Sequence, residues 1–314
     1  MQTIGVVGLG LLGRGIATCL VSHGLHVVVF DEQRELYEEV RRHIADVLPE
    51  LVGRGGFPAK LLDHWPGAIR FADALNELAT CDFIIESIFE NAERKQELLK
   101  NLESLVAADV PLASNTSAVP ISLLQSNLQH PQRVVGMHWA EPCHLTRFLE
   151  VIRGHKTDDR TLEKAVQLGK RIGKDPTIVQ KDVAGFIVNR LGYAMFREAF
   201  WLVENGIADV ETIDRAFSNA LGVWVNVAGP FRWMDLTGLP AYAAVMKRLF
   251  PQLNCSQTVP SLMTRLVESG STGISSGKGF YEYTPEEQAA WEARLHENVW
   301  RVNEMTRDLF FKEN

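Results

Sequence analysis

The stretch "GLGLLG", residues 8–13, constrains this chain more than any other. Gly8, Gly10 and Gly13 fill a G-x-G-x-x-G pattern. An apolar run, "TIGVVG" (3–8), leads into it, and "LLGRGIATCLVSHG" (11–24) leaves it with helical spacing. A second apolar run, "HVVVFD" (26–31), ends in Asp31. Strand, glycine turn, helix and a strand closed by an acid make one βαβ unit. Each glycine has a task there: the tight turn, close backbone approach to a pyrophosphate, and close packing of helix on strand. The pyrophosphate rests on free N–H groups at the helix start. Asp31 follows the third glycine by 18 residues, where a carboxylate accepts from the ribose hydroxyls. Its charge, with Glu32 beside it, repels a 2′-phosphate and so favours NAD over NADP. A glycine turn alone is weak evidence. With its strand, helix and distal acid it predicts dinucleotide binding, and hydride transfer is the usual chemistry of such a site.

The same alternation continues. "AIRF" (68–71), "CDFIIES" (81–87), "VPLASN" (110–115) and "RVVGMH" (133–138) read as strands, with helices over 33–51 and 94–107. "FLEVIRG" (148–154) and "DPTIVQ" (175–180) flank a helix over 158–172 and extend the sheet at one edge. Strands interleaved with helices predict βαβ units and a parallel sheet. After "KDVAGF" (181–186) the period-2 runs stop. Helical patterns follow at 186–204, 210–221, 239–249, 260–269 and 285–311. The expected fold is an α/β Rossmann-type doubly wound sheet, residues 1–182, followed by an all-α C-terminal domain, residues 183–314. The helix over 186–204 is expected to serve as core and dimer interface, and the charged tail helix as a solvated face.

Composition narrows the function classes. At 46% hydrophobic and 23% charged residues, the chain has the make-up of a globular protein with a core. A net charge of -7, without a Lys/Arg cluster, argues against nucleic acid as a partner. Cys19, Cys81, Cys143 and Cys255 lie far apart with no C-x-x-C pair, as reduced thiols do, and no metal-ligand spacing appears. No apolar run reaches membrane-spanning length, and the opening "MQTIGVVGLG" has no signal-peptide pattern. A cytoplasmic chain is the expectation.

Two stretches stand out chemically. In "VVGMHWAEPCHLTRFLEVI" (134–152) one apolar run delivers His138 and another carries Glu150. Taking hydride from an alcohol needs a base for the hydroxyl proton, and histidine suits it. A carboxylate behind the ring fixes its tautomer and stabilises the imidazolium. The plainer alternatives are a satisfied core histidine and an exposed strand glutamate. "ASNTSAV" (113–119) ends an apolar strand in small polar residues, so Ser117 suits a polar cavity, although an ST-turn explains it equally. Asn189 interrupts the apolar "GFIVNRL" and needs a partner, from substrate or from a neighbouring helix.

With these residues in place, the chain resembles the L-3-hydroxyacyl-CoA dehydrogenase superfamily almost end to end. The matching pieces are "GLGLLG", "FIIESIFENAERKQELL", "ASNTSAVPIS", "GMHWAEP", "FLEVIRG", "DVAGFIVNRL", "AGPF" with "DLTGL", and "SGKGFYEY". The resemblance implies an NAD-binding domain, a helical domain that forms a homodimer, and oxidation of a secondary alcohol to a ketone. It makes His138 the general base, Glu150 its orienting acid, and Ser117 and Asn189 partners of the substrate oxygen. It puts Glu90 and Lys95 near the nicotinamide ribose and Asn115 against the cofactor.

The departures from the family pattern bear on the substrate. His138-Trp139-Ala140-Glu141-Pro142 stands where thioester enzymes commonly read H-F-F-N-P. The excursion over 41–67 carries Lys60 as its only lysine, "GVWVNV" (222–227) holds an unusual Trp224, and a charged helix follows "GFYEY". Such features are similar to members acting on free hydroxy acids or alcohols, of carnitine, gulonate or pyridine-carboxylate type. A CoA thioester and a free small acid therefore both stand as substrates. A non-catalytic NAD-binding protein is the rival from another class, and the intact Ser117–His138–Glu150–Asn189 set weighs against it.

Overall fold

The computed structural model describes residues 3–310, in two compact units that divide after Asn189. The first unit runs β1 (Thr3–Val7), α1 (Leu11–Ser22), β2 (His26–Phe30), α2 (Leu36–Arg54), α3 (Leu61–Ala68), β3 (Ile69–Phe71) and β4 (Phe83–Glu86). It continues α4 (Ala92–Leu105), β5 (Leu112–Ser114), α5 (Ile121–Leu124), β6 (Val134–His138), β7 (Phe148–Ile152), α6 (Asp159–Arg171) and β8 (Asp175–Val179). All eight sequence-predicted strands form. The sheet order is β3-β2-β1-β4-β5-β6-β7-β8. After β3 the chain crosses back to β4 beside β1, so the switch point falls between β1 and β4, where open α/β sheets bind ligands at the strands' carboxyl ends.

The strands are short apolar runs because helices cover both faces. Pleating places Val28, Ile84, Leu112, Val134 and Ile152 in one buried cluster with Leu99 and Leu102 of α4. The helix ends are set locally. Asn91 caps α4 by accepting from Arg94 N–H at 2.8 Å, and Asp158 caps α6 by accepting from Thr161 N–H at 2.7 Å. α6 stops at Gly173, whose φ of +73° suits a residue without Cβ. The N–H groups of Gly173 and Lys174 then reach back to Lys170 O and Gly169 O.

Two edge strands, β7 and β8, depart from a purely parallel reading of the sheet. Pairings from β3 through β6 are parallel, but β7 runs antiparallel to β6, and β8 returns parallel to β7. The cause is chain length. Only residues 139–147 join β6 to β7, fewer than a parallel crossover requires.

The helical elements are α7 (Val188–Glu204), α8 (Val210–Trp224), α9 (Pro230–Thr237), α10 (Leu239–Leu249), α11 (Ser261–Glu268) and α12 (Pro285–Phe310). In the second unit Glu204 Oε1 accepts from Ser261 Oγ and Leu262 N–H, fastening α7 to the start of α11. Trp224 of α8 stacks on Trp233 of α9 with ring centres 5.0 Å apart. The expectation that α7 is core is not met. No side chain of α7 through α11 is buried, and Leu191, Tyr193, Val223 and Phe231 stand exposed. These apolar faces are not enclosed by the helices of this unit. Among the described residues, no helix is long and apolar enough to cross a membrane.

Candidate active site

The glycine loop is tied to the end of β2 by two bonds. Gly8 N–H donates to Phe30 O at 3.0 Å, and Leu9 N–H donates to Asp31 Oδ2 at 2.7 Å. The acid ending β2 thus holds the turn after β1 while its other oxygen accepts from Gln33 N–H. A Cβ on Gly13 would lie 1.8 Å from Gly8 O, so only glycine lets α1 start against the turn. A Cβ on Gly10 would meet nothing within 4 Å. That open approach beside the start of α1 is what a pyrophosphate needs, and with Asp31 at the adjacent strand end the residues fit a dinucleotide.

A second group organises the loops after β4 and β5. Glu90 Oε1 accepts from Thr116 Oγ1 at 2.6 Å, Ser117 N–H at 2.9 Å and Ala118 N–H at 3.0 Å. Burial pushes the Glu90 carboxyl up, but Thr116, the Lys95 charge and the two N–H groups outweigh it and hold the carboxyl below its ordinary range. Lys95 is fully buried and donates to Glu86 Oε1 at 2.7 Å, with Glu90 Oε2 at 3.4 Å. Its ammonium is enclosed by protein groups and bears on the site through Glu86 and Glu90. Asn115 Nδ2 donates to Ser87 Oγ, and its Oδ1 accepts from Trp139 N–H at 3.1 Å. Asn115 therefore ties the ends of β4, β5 and β6 together.

His138 and Glu150 face each other as a register pair across β6 and β7. Their Nδ1 and Oε2 atoms are 2.8 Å apart, and both residues are buried. Glu150 Oε1 accepts from Ile187 and Val188 N–H, each at 3.0 Å, at the start of α7. Burial pushes the Glu150 carboxyl up, yet the bond to His138 and the two N–H groups hold it below its ordinary range. The carboxylate is thus the settled form, and Nδ1 carries the proton shared with it. The His138 ring lies edge-on to Phe148 and tilted against Phe186, with centres 5.5 and 5.7 Å apart. Nε2 makes no hydrogen bond among the described residues, so the imidazole keeps one nitrogen for a proton from outside.

Ser117 is exposed, and its backbone carbonyl accepts from Asn189 Nδ2 at 3.0 Å. The structure thus joins Ser117 to Glu90 and to Asn189, and His138 to Glu150. Gly8, Gly10, Gly13 and Asp31 form a third cluster at the end of β1 and β2. Sequence reasoning missed Glu86, which accepts from Lys95, Ser114 Oγ and Ile88 N–H. An acid closing the apolar run "FIIE" was the available signal, the same pattern that marked Asp31. Phe186 was also missed. It is buried and non-glycine with φ +50°, a backbone state that no local pattern announces.

This geometry coincides with family-wide similarity. Residues 3–183 match the model of the 3-hydroxyacyl-CoA dehydrogenase NAD binding domain, and residues 185–283 match the 3-hydroxyacyl-CoA dehydrogenase C-terminal domain. The chain belongs to the 3-hydroxyacyl-CoA dehydrogenase family. It is an NAD-dependent dehydrogenase. The 5-formyl-3-hydroxy-2-methylpyridine 4-carboxylate 5-dehydrogenase of Mesorhizobium japonicum is 34% identical, over 93% of this chain and 94% of that one. A crystal structure of 5-formyl-3-hydroxy-2-methylpyridine 4-carboxylic acid 5-dehydrogenase, an NAD+-dependent dismutase, superposes with a TM-score of 0.91 at 33% identity. It covers 98% of this chain and 99% of its own. The (S)-3-hydroxybutyryl-CoA dehydrogenase of Ralstonia eutropha superposes at 0.75 with 31% identity, over 90% and 99%.

Gly13 and Gly10 separate stability from binding. Gly13→Ala should lower unfolding stability by about 2–4 kcal/mol in chemical denaturation, because α1 must move off the turn. Gly10→Ala should cost under about 1 kcal/mol yet weaken NAD binding about tenfold or more in titration calorimetry. Unchanged NAD affinity in folded Gly10→Ala would contradict the assignment of the turn to the pyrophosphate.

Proposed function

We propose that the protein oxidises a secondary alcohol to a ketone with His138 as general base. The observation that carries this reading is the imidazole fastened to Glu150 through Nδ1, with Nε2 left unspent. His138 accepts the hydroxyl proton on Nε2 as the carbinol C–H bond breaks, and Glu150 stabilises the imidazolium that results. Ser117 Oγ and the second amide proton of Asn189 hold the substrate oxygen as it becomes a carbonyl. Glu90 keeps Ser117 in position through the loop it organises. Bound at the glycine loop, NAD supplies the acceptor for the hydride. Asp31 addresses the adenosine ribose, and Glu90, Lys95 and Asn115 shape the end of the cleft that takes the nicotinamide ribose.

The substrate best supported is a free small hydroxy acid or alcohol, not a CoA thioester. Glu141 stands three residues after the base, where an acid disfavours binding modes that an asparagine permits. The α2–α3 excursion carries a single lysine, Lys60, where the thioester enzymes have a lysine-bearing excursion suited to CoA phosphates. The pyridine-carboxylate dehydrogenase superposes on this chain at a TM-score of 0.91, against 0.75 for the thioester enzyme of Ralstonia eutropha. The thioester reading is favoured by the family itself. NADH formation, followed by absorbance over free hydroxy acids and their CoA thioesters side by side, decides between them. Turnover is expected with free acids and at least about tenfold lower kcat/KM with thioesters. A preference for thioesters would overturn the substrate assignment, and no NADH from any compound would favour a binding protein.

The exposed apolar side chains of α7, α8 and α9 support a homodimer, since exposed apolar surface on this scale marks a contact. The four free thiols fit a reducing compartment such as the cytoplasm. Light scattering should give a mass about twice the 35.2 kDa of the chain; a monomer mass at micromolar concentration would reject the dimer.

A further inference from the structure

Residues 139–147 join the proposed base at one end to its orienting acid near the other, so their fixity matters to the site. Much of what fixes them is main-chain bonding: Leu145 and Thr146 N–H donate to Pro142 O, and Thr146 Oγ1 donates to Ala140 O. Beneath the loop lies a charged side chain that the reaction does not use. Lys174 is only 5% exposed. Its Nζ donates to the carbonyl oxygens of Cys143 and Thr146 and sits 4.9 Å from the centre of the Trp139 ring.

The local structure explains how a lysine comes to be there. Gly173, left-handed at φ +73°, ends α6 and turns the chain inward, and Asp175 N–H then joins Arg147 O at 2.8 Å as β8 begins. Lys174 is held between these two constraints, one residue from each. Among the described residues no carboxylate lies within 4 Å of its Nζ, so its charge is met by carbonyl dipoles and an aromatic face. A buried ammonium without an acid is costly to keep. Both carbonyls and the ring belong to the 139–147 loop.

We propose that Lys174 is a positioning residue of the hydride-transfer site, clamping the loop between His138 and Glu150 from within. The clamp acts through Trp139, whose ring covers the ammonium and whose backbone N–H donates to Asn115 Oδ1. It also acts through the Cys143–Thr146 turn, which leads into β7 and Glu150. Lys174 touches neither substrate nor cofactor; it keeps the strand ends in register so that His138 Nε2 stays aimed. This assignment rests on His138 being the base, and its test therefore includes readouts that need no turnover.

The test compares Lys174→Met, which keeps the stem and removes the donors, with Lys174→Arg, which restores them. Hydrogen exchange of the free protein is expected to quicken about tenfold or more at residues 139–147 in Lys174→Met, with the β1–β2 amides unchanged. The His138 imidazole nitrogen resonances, identified by their loss in His138→Gln, are expected to shift in Lys174→Met and return toward the native positions in Lys174→Arg. With the best substrate of the panel, kcat should fall about 10- to 100-fold while KM for NAD changes less than about twofold. Native exchange in the loop, or unmoved His138 resonances, in Lys174→Met overturns the proposal. If Lys174→Met does not fold, Lys174→Arg decides: native loop exchange with at least about one-third of native kcat supports the clamp, and a folded Arg variant as inactive as His138→Gln contradicts it. Should the native protein turn over no compound, exchange and resonance shifts still decide the clamp, separately from the failure of the dehydrogenase reading.

Discussion

The antiparallel pairing of β6 with β7 is the contact on which the site depends. It sets His138 directly opposite Glu150, and in a sheet a slip of one residue turns a side chain to the other face. The pairing exists because the loop between the strands is too short for a crossover. Parallel strands deliver the remaining groups from their carboxyl ends. The reversed strand β7 brings the acid in from the opposite direction, so base and acid meet although they are twelve residues apart in the chain.

Acids, from buried Glu86 and Glu150 to exposed Glu90, recur as fasteners of the loops that surround this pair. Asp31 accepts from Leu9 N–H, Glu86 from Ile88 N–H, Glu90 from Ser117 and Ala118 N–H, and Glu150 from Ile187 and Val188 N–H. Each takes up backbone donors in a loop that cannot use sheet pairing. Charge-assisted bonds of this kind are stronger than neutral ones and offset part of the cost of desolvating the acid. The arrangement suits a redox site, where a cofactor and a substrate must be held in one geometry. Asp31 and Glu90 hold loops with the same carboxylates that are proposed to address the cofactor.

Much of this was legible in the sequence because it is local. Short apolar runs between turn residues locate every strand, and the glycines announce the turn after β1 by spacing, with the flanking strand and helix. The acid ending "HVVVFD" and the acid inside "FLEVI" are visible as charges that apolar segments tolerate only with partners. What could not be read is tertiary. Nothing near Glu90 indicates that it collects three donors from residues 26 to 28 positions later. The antiparallel turn of β7 depends on counting a loop against a crossover. The helix over 186–204 looked like core because its apolar residues lie on more than one face, whereas burial is decided by how many helices, from how many copies, pack against it. Lys174 is a lone lysine in "GKDP", and only the folded chain shows the two carbonyls beneath it.

The central claim is that His138, oriented by Glu150, takes the proton in the step that transfers hydride. Single-turnover NADH formation at saturating NAD, with substrate deuterated at the carbinol carbon, tests it most directly. In His138→Gln the isotope-sensitive step should slow by about 100-fold or more while NAD affinity stays native. A single-turnover rate within about twofold of the native enzyme would contradict the assignment, since no general base loses so little when removed.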